Sequence, residues 1–280
     1  MKNIVAAPVG FIPRQNWPEF NLPAQMPQFM KPEAIAGDPS GVRWRFWPFF
    51  FEEYTSDTEP IVTKWEETRG YLRIIKWHRL SRTDTPAGWK RFFKRSYVAI
   101  GFAELSADYS SSWSKVARYD RRYWLELVSE GSYRIRPLSW NEFKVVYPKS
   151  VVGRKVGTVS IDALDGVVSA GGGAFVECYV VVGKTNEILA GIAVLNSPTC
   201  KSSYYSAGFF MAGTEKLPLM TGLMDHWFQI SQSRGFRVVQ FGNFWVPGNP
   251  SSWKGFSQFK AKFGPKIVLY QPLLFRMMLG

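Results

Sequence analysis

Four basic residues in one predicted helix have the type and spacing of a phosphate-binding face. Lys115, Arg118, Arg121 and Arg122 are separated by three, three and one residues, so a helix brings them to a shared side. Guanidinium groups bind phosphate through two parallel hydrogen bonds, and a lysine adds a point charge. This face could therefore hold a phosphate-bearing substrate. A solvated charged helix face explains the same four residues equally well.

A second basic segment, residues 89–95 with the sequence WKRFFKR, combines cations with aromatic rings. Rings can stack on bases while cations contact phosphates, so the composition is suited to nucleic acid. The favoured interpretation is an edge strand whose charges prevent pairing with another chain. The segment is therefore a secondary candidate.

Residue types that commonly serve as nucleophiles, bases or metal ligands are scarce. His78 lies in a predicted strand without a partner signal, and His226 fits the apolar pattern of a helix, which favours a core histidine over a general base. Cys178 and Cys200 are the only cysteines, which argues against a disulfide framework or a cysteine-based metal site. The glycine run 171–173 lacks the Gly-Lys-Ser/Thr of a phosphate-binding loop.

Composition sets the class of protein. The 280 residues are 46% hydrophobic and carry 35 Lys+Arg against 22 Asp+Glu, a net charge of +13. The apolar content argues against a disordered chain, and no run of about 18 apolar residues predicts a membrane-spanning helix. No secretory signal is recognised, so a cytoplasmic protein is expected.

The positive charge is concentrated in two blocks. Residues 64–122 contain 14 basic and 6 acidic residues, and residues 201–280 contain 9 basic and 2 acidic residues. A surplus of this kind favours anionic partners, namely nucleic acid, phosphorylated molecules or an anionic membrane surface.

Three segments are predicted along the chain. Residues 1–41 carry seven prolines, which exclude a helix, and the apolar residues between them predict an arm that packs on the body. Residues 42–131 form a small N-terminal subdomain that ends in the basic helix. Residues 132–280 form one α+β domain.

The subdomain at 42–131 is predicted from a few elements. Their positions are a short helix at 59–68, strands at 71–80 and 95–105, and the basic helix at 111–130.

The domain at 132–280 is predicted as β, α, α, β, β, β, α, β, α, β. A Ser139–Glu142 capping box starts its first helix, and the three central strands form an antiparallel meander. The predicted bounds are strands 132–137, 174–182, 188–195, 202–209, 236–241, 267–270 and 273–277, and helices 139–147, 159–168, 217–233 and 251–264, the last capped by Ser251. Residues 242–250 are a predicted loop. Helices on both faces of one mixed sheet would give the domain a single core.

Four motifs between residues 204 and 264 resemble the C-terminal half of the FemAB-like aminoacyltransferases, a family of the GNAT superfamily that builds peptidoglycan cross-bridges. They are YYSAG (204–208), LMDHWFQISQSRG (223–235), VVQFGNF (238–244) and FKAKFG (259–264). The resemblance covers roughly 110–280 and is sharpest in FKAKFG. It implies a GNAT-like acyltransferase fold, a mixed and mostly antiparallel sheet flanked by helices.

Two departures from the family pattern stand out. Family members usually hold two complete GNAT-like domains, whereas residues 42–110 offer only a few elements, so a reduced N-terminal GNAT-like subdomain is expected. The family's turn often has an aspartate before its glycines, whereas Gln240 and Phe241 precede Gly242 here.

The resemblance implies a set of site residues. Lys260 would hold a phosphate or stabilise the oxyanion of the acyl group, and Tyr205 and Gly208 would lie where freed strand amides bind the acyl carbonyl. A solvated helix lysine and ordinary strand aromatics are the alternatives. The residues expected to line the substrate, besides the basic helix, are Phe259, Phe263, Gly242, Asn243 and Trp245.

The donor is constrained by a missing loop. Acetyl-CoA enzymes of the superfamily open the helix after the meander with [QR]-x-x-G-x-[GA], and here that place holds Glu215-Lys216-Leu217-Pro218. No resident cofactor is therefore expected. The resemblance implies aminoacyl-tRNA, or another activated acyl donor, as co-substrate.

Three functions remain open from the sequence. The first is transfer of an aminoacyl or other acyl group onto an amine of a cell-envelope or peptidoglycan precursor. The second is non-catalytic binding of nucleic acid or an anionic surface, including peripheral contact with a membrane. The third is transfer from an acyl-CoA donor. No pattern predicts an oligomeric state.

Overall fold

The computed structural model describes most of the chain from residue 98 onward and parts of the region before it. The described residues are 4–5, 33–35, 38–55, 58–61, 70–79, 84–91, 98–157, 159–169, 172–247, 249, 251–271 and 273–279. Most of the predicted Pro-rich arm, most of the predicted helix at 59–68 and residues 92–95 of the second basic segment lie outside them.

The described elements are fourteen strands and six α-helices. The strands are β1 (Ile4–Val5), β2 (Glu33–Ile35), β3 (Asp38–Phe46), β4 (Phe49–Thr55), β5 (Leu72–His78), β6 (Lys90–Arg91), β7 (Val98–Glu104), β8 (Arg134–Leu138), β9 (Val176–Val182), β10 (Ile188–Ser197), β11 (Ser202–Phe210), β12 (Val238–Phe244), β13 (Lys266–Tyr270) and β14 (Leu274–Leu279). The helices are α1 (Lys115–Ser129), α2 (Trp140–Val146), α3 (Val151–Val156), α4 (Val159–Ser169), α5 (Leu219–Ser233) and α6 (Lys254–Ala261).

Eight strands form a large mixed sheet in the order β1-β13-β7-β12-β11-β10-β9-β8. The predicted meander is confirmed, because β9, β10 and β11 pair antiparallel in sequence. β7 lies between β12 and β13 and pairs antiparallel with both. The predicted α+β class, with a mixed sheet flanked by helices, is confirmed.

The large sheet has an apolar core on each face, which follows from the two-residue period of its strands. On β9, Tyr179 and Val181 face one core, whereas Cys178 and Val180 face the other. The first core, called the α5 face, receives side chains from α1, α5 and the segment around Phe263. The second, called the α4 face, receives side chains from α2 and α4.

Six strands form a smaller sheet in the order β2-β3-β4-β5-β14-β6. Its core contains Trp77, Trp89 and Leu274. Inside it, Arg73 Nη2 donates to both carboxylate oxygens of Glu52, at 2.7 and 2.8 Å. The C-terminal strands join the two sheets, because β13 belongs to the large sheet and β14 to the small one.

The domain boundary predicted between residues 131 and 132 stays a prediction. The structure adds that two elements before it, β7 and α1, belong to the layers of the large sheet. β7 is a central strand of that sheet, and Trp124 of α1 is buried in the α5 face.

The predicted capping box at Ser139 is confirmed. Ser139 Oγ accepts from the Glu142 N–H, and the Glu142 carboxylate accepts from the Ser139 N–H. Ser251, in contrast, does not cap α6, because a 3-10 turn precedes the helix and Trp253 holds its N-cap position.

Two further elements differ from expectation. β12 continues to Phe244, so residues 242–244 are strand and not loop. α3 was not predicted, because its valines and Gly153 are poor helix formers. Ser150 is the N-cap of α3, and its hydroxyl accepts from the Gly153 N–H at 2.9 Å.

Candidate active site between two diverging strands

The parallel strands β11 and β12 pair over only three residues and then separate. The pairs are Ser202 with Val238, Ser203 with Val239 and Tyr204 with Gln240. Beyond them, β11 stays with β10 and β12 stays with β7. Both strands are described throughout, and a gap opens between them whose backbone N–H and C=O groups have no strand partner across it. Such groups are available to a ligand.

Irregular pairing accompanies the divergence on both sides. On β12 the register against β7 shifts between Gln240 and Gly242, and Gly242 has a φ of +70°. On β11, Tyr205 and Ala207 oppose the adjacent residues of β10, so Ser206 is an extra residue. An extra residue bends its strand and increases the local twist.

Two consecutive tyrosines at the narrow end of the gap point to opposite faces. Tyr204 faces the α4 side, and its hydroxyl rests where a Cβ on Gly242 would lie. Tyr205 faces the α5 side, and its hydroxyl rests where a Cβ on Gly208 would lie. A side chain at either position would overlap the tyrosine hydroxyl unless the tyrosine moved. The role predicted for Gly208 at the acyl carbonyl stays a prediction.

Lys260 of α6 places a buried amine at this gap. Its exposure is 8%, and its Nζ donates to the backbone carbonyl of Asn243 on β12 at 3.4 Å. Nζ lies 4.9, 5.7 and 5.9 Å from the ring centroids of Phe256, Tyr205 and Phe244. Among the described residues no carboxylate forms an ion pair with it. Burial lowers the pKa of Lys260 from 10.5 to about 7.

The two phenylalanines of the FKAKFG motif fix the orientation of α6. Phe263 is fully buried and packs on Trp113 and Phe241, with ring centroids 5.0 and 6.3 Å apart. Phe259 contacts Phe263 at 5.2 Å. Because these rings anchor the end of the helix in the α5 face, Lys260 is directed toward β12.

The loop after β12 is held by Trp245. Its backbone N–H donates to Ser257 Oγ at 2.7 Å, and its indole N–H donates to the Asn249 carbonyl at 3.1 Å. Lys254 Nζ lies 4.6 Å from the Trp245 ring. Trp245 therefore connects the end of β12, the strand that contains Asn243, to α6.

The basic helix α1 is divided between solvent and core. Lys115, Arg118 and Arg122 are exposed. Arg121 is instead held by Asp225 of α5, with Nε to Oδ1 at 2.6 Å. The buried Asp225 also accepts from Tyr109 at 2.8 Å, and burial together with this bond raises the pKa of the phenol. The helix starts beside the end of α6, since the Ser114 N–H donates to the carbonyl that precedes Phe263.

The remaining sequence candidates lie away from the gap. His226 packs edge-on against Tyr179 of β9, two strands from β11, with centroids 4.9 Å apart, and burial lowers its pKa. Burial raises the pKa of Cys178 to about 12, so its thiol is unreactive at neutral pH.

The described residues contain no cluster of three or more His, Cys, Asp or Glu side chains placed to hold a metal ion. Within the same part of the chain, no helix is long and apolar enough to cross a membrane.

The structure brings Lys260, Tyr205, Gly208, Gly242 and Asn243 together. The rings of Phe244 and Phe256 also contact this group and were not among the predicted site residues. The signal for Phe256 was present, because residues four apart on a helix share a face. The roles assigned to all these residues stay predictions.

No protein-family model and no curated protein matches the sequence. The chain is similar in structure to FemX, with a TM-score of 0.61 and 12% identity over 89% of this chain and 87% of that one. It is similar to L-PGS from Bacillus licheniformis, with a TM-score of 0.54 and 13% identity over 88% and 83% of the two chains. It is also similar to the C-terminal domain of a putative lysylphosphatidylglycerol synthetase from Agrobacterium fabrum, with a TM-score of 0.53 and 13% identity over 88% of this chain and 83% of that one. The predicted fold class is confirmed, because the chain shares with these three structures an α+β fold built on a mixed sheet flanked by helices.

Proposed function

We propose that this chain is an acyltransferase that moves an aminoacyl group, or another acyl group, onto an amine of a cell-envelope or peptidoglycan precursor. The observation that carries the proposal is the buried Lys260 amine beside the unpaired edges of β11 and β12. The fold that the chain shares with FemX, with L-PGS and with the C-terminal domain of a putative lysylphosphatidylglycerol synthetase supports it.

The gap provides the groups that acyl transfer needs. An acyl carbonyl laid along the inner edge of β11 or β12 meets backbone N–H groups that have no strand partner across the gap. Fixed donors stabilise the negative charge that develops on the carbonyl oxygen when an amine attacks. Lys260 adds a donor on the α6 side, and the surrounding rings exclude water from it.

The donor proposed is an ester with a phosphate-rich carrier, such as aminoacyl-tRNA. Lys115, Arg118 and Arg122 are exposed on the helix that begins beside α6, where they would attract a polyanion. An acyl-CoA donor is less well supported, because Pro218 and not a glycine loop occupies the N-cap of α5, with no side-chain cap.

The test measures transfer of a labelled aminoacyl group from charged tRNA to peptides that carry a free amine. Lys260→Met is expected to lower transfer by roughly 10²-fold or more, the usual effect of removing an electrostatic or proton-transfer group. The matched control is Lys262→Met, two residues along the same segment, which should leave transfer unchanged. Equal rates for wild type and Lys260→Met would remove Lys260 from the mechanism.

A second candidate function is non-catalytic binding of nucleic acid. The exposed side of α1 favours it, because Tyr119 and Tyr123 are 61% and 39% exposed and lie beside Arg118 and Arg122. Rings and cations together suit single-stranded RNA. RNA binding that weakens steeply with salt, with no transfer to any amine, would favour this function over catalysis.

A further inference from the structure

Within the described residues the Lys260 amine has no carboxylate partner, unlike several other cations of this protein. Arg73, Arg121 and Lys144 each pair with a carboxylate at 2.6–2.7 Å. Lys260 is buried, as Asp225 is. Among the described residues, however, its Nζ is surrounded by one backbone carbonyl at 3.4 Å and three aromatic rings. The groups facing Nζ come from three elements: the Tyr205 ring on β11, the Asn243 carbonyl and Phe244 ring on β12, and the Phe256 ring on α6.

These surroundings decide the protonation state of the amine. Removal from water disfavours the ammonium, and within the described part of the chain no carboxylate lies close enough to restore it. The rings attract a cation and offset part of that loss. Among the described residues that face Nζ, Tyr205 has the only titratable side chain, and burial raises its pKa, so it stays a neutral phenol. With a pKa of about 7, Lys260 is available in both forms at neutral pH.

We propose that Lys260 is the proton acceptor of the transfer step: it enters the reaction as a neutral amine and removes the proton from the attacking nitrogen. The inference rests on the proposed function and specifies how its reacting groups exchange protons. Its geometric basis is a buried amine at the gap that forms one hydrogen bond to the described residues. In that bond an N–H of Lys260 donates to the Asn243 carbonyl, which leaves the nitrogen lone pair unused.

The step balances as follows in atoms and charges. The acceptor amine forms an N–C bond to the acyl carbon, and the carbonyl π pair moves to the oxygen. The positively charged nitrogen then gives a proton to Lys260 Nζ. The oxyanion re-forms the carbonyl, the ester C–O bond breaks, and the departing alkoxide takes the proton back from Lys260. The products are an amide and an alcohol, and Lys260 is neutral again.

Accepting the proton also changes what Lys260 contributes next. The new ammonium forms within the tetrahedral intermediate and loses its proton to the departing alkoxide, so its charge stabilises these anionic species and not the bound substrates. An interaction made only at this stage accelerates the chemical step. The rings of Phe256 and Tyr205 hold the short-lived cation.

The first experiment observes the protonation of Lys260 without using activity. The full chain is labelled with ¹³C at lysine Cε, and the Lys260 resonance is assigned by its loss in Lys260→Met. We expect a titration midpoint near pH 7, against about 10.4 for solvated lysines. A midpoint above 9 overturns the proton-acceptor role, whatever the enzyme catalyses.

The second experiment separates a base from a permanent cation. Lys260→Arg keeps a positive charge and has no basic lone pair at neutral pH. We expect it to lose roughly 10²–10⁴-fold in the rate of transfer, as Lys260→Met does. We also expect the wild-type rate to fall below pH 7. Substantial activity in Lys260→Arg overturns the proton-acceptor role and leaves the proposed function intact, whereas a midpoint near pH 7 with no transfer to any amine overturns the proposed function itself.

Discussion

A lysine amine that is buried beside rings and a single carbonyl has chemistry that a solvated lysine lacks. The difference lies in its partners and not in the residue type, since Lys144 keeps an ordinary ion pair with Asp165 at 2.7 Å. The sequence motif around Lys260 could therefore suggest an important residue but not its protonation state. That state depends on the rings of Tyr205 on β11 and Phe244 on β12, which are distant from the motif in sequence.

Phe256→Leu is expected to lower the pKa of Lys260 further. The Phe256 ring is the nearest to Nζ, and its attraction favours the charged amine, so losing the ring favours the neutral form. A decrease of about 0.5–1 in the pKa is expected. The ¹³C titration measures it. Phe259→Leu is the control, because Phe259 packs on Phe263 and should leave the Lys260 midpoint in place.

Gly242→Ala is expected to destabilise the protein more than Gly213→Ala. Both glycines have a left-handed φ, of +70° and +86°, but only at Gly242 would a Cβ overlap another residue, Tyr204. The conformational cost is about 1–2 kcal/mol at each site, and overpacking adds roughly 1–3 kcal/mol at Gly242. Urea unfolding of the two variants measures the difference. Equal losses would mean that Tyr204 moves away freely.

At the scale of elements, α1 and α5 are joined by a buried charge network and not only by apolar contact. Asp225 accepts hydrogen bonds from Arg121, Tyr109 and Gln229. Four residues of the predicted basic face thus divide into three that face solvent and one that holds two helices together. Helical spacing alone could not predict this division, because the partner lies more than a hundred residues away.

Asp225→Asn is expected to lower the free energy of unfolding by roughly 2–4 kcal/mol, since it leaves the half-buried Arg121 without its carboxylate. Arg118→Gln, on the exposed side of the same helix, should change it by less than about 0.5 kcal/mol. Thermal and urea unfolding compare the two. If the Arg121→Gln, Asp225→Asn double variant loses the full sum of the single losses, the two residues are not coupled.

Elements set by local pattern were predictable, and pairing between distant segments was not. The meander β9–β11 and the Ser139 capping box follow from alternation and spacing within about 40 residues. The position of β7 between β12 and β13 joins segments about 140 and 170 residues apart, which no local period records. The burial of Lys260 was missed for the same reason, because β11 and β12 supply its surroundings.

At the scale of the whole molecule, the buried Lys260 makes stability depend on pH. Its pKa is about 7 in the folded chain and near 10.5 when solvated. Between these values the unfolded chain binds the additional proton, so the free energy of unfolding rises as the pH rises through this window. Below pH 7 both states are protonated, and the full cost of the buried ammonium, roughly 5 kcal/mol, applies.

Lys260→Met is therefore expected to be more stable than wild type at pH 6, by an amount that shrinks toward pH 10. Because tyrosines titrate in both proteins, the quantity to measure is the difference between the two unfolding free energies at each pH. A difference that stays constant from pH 6 to pH 10 would show that Lys260 keeps an ordinary pKa in the folded chain.

The path of the chain through its two sheets bears on how the protein is made. β5 pairs with β14, which ends at Leu279, and β7 pairs with β12 and β13. During synthesis, β5 and β7 therefore keep unpaired edges until residues 238–279 have left the ribosome. Unpaired strand edges can pair with other chains, so the nascent chain is expected to need chaperone protection until these residues have emerged.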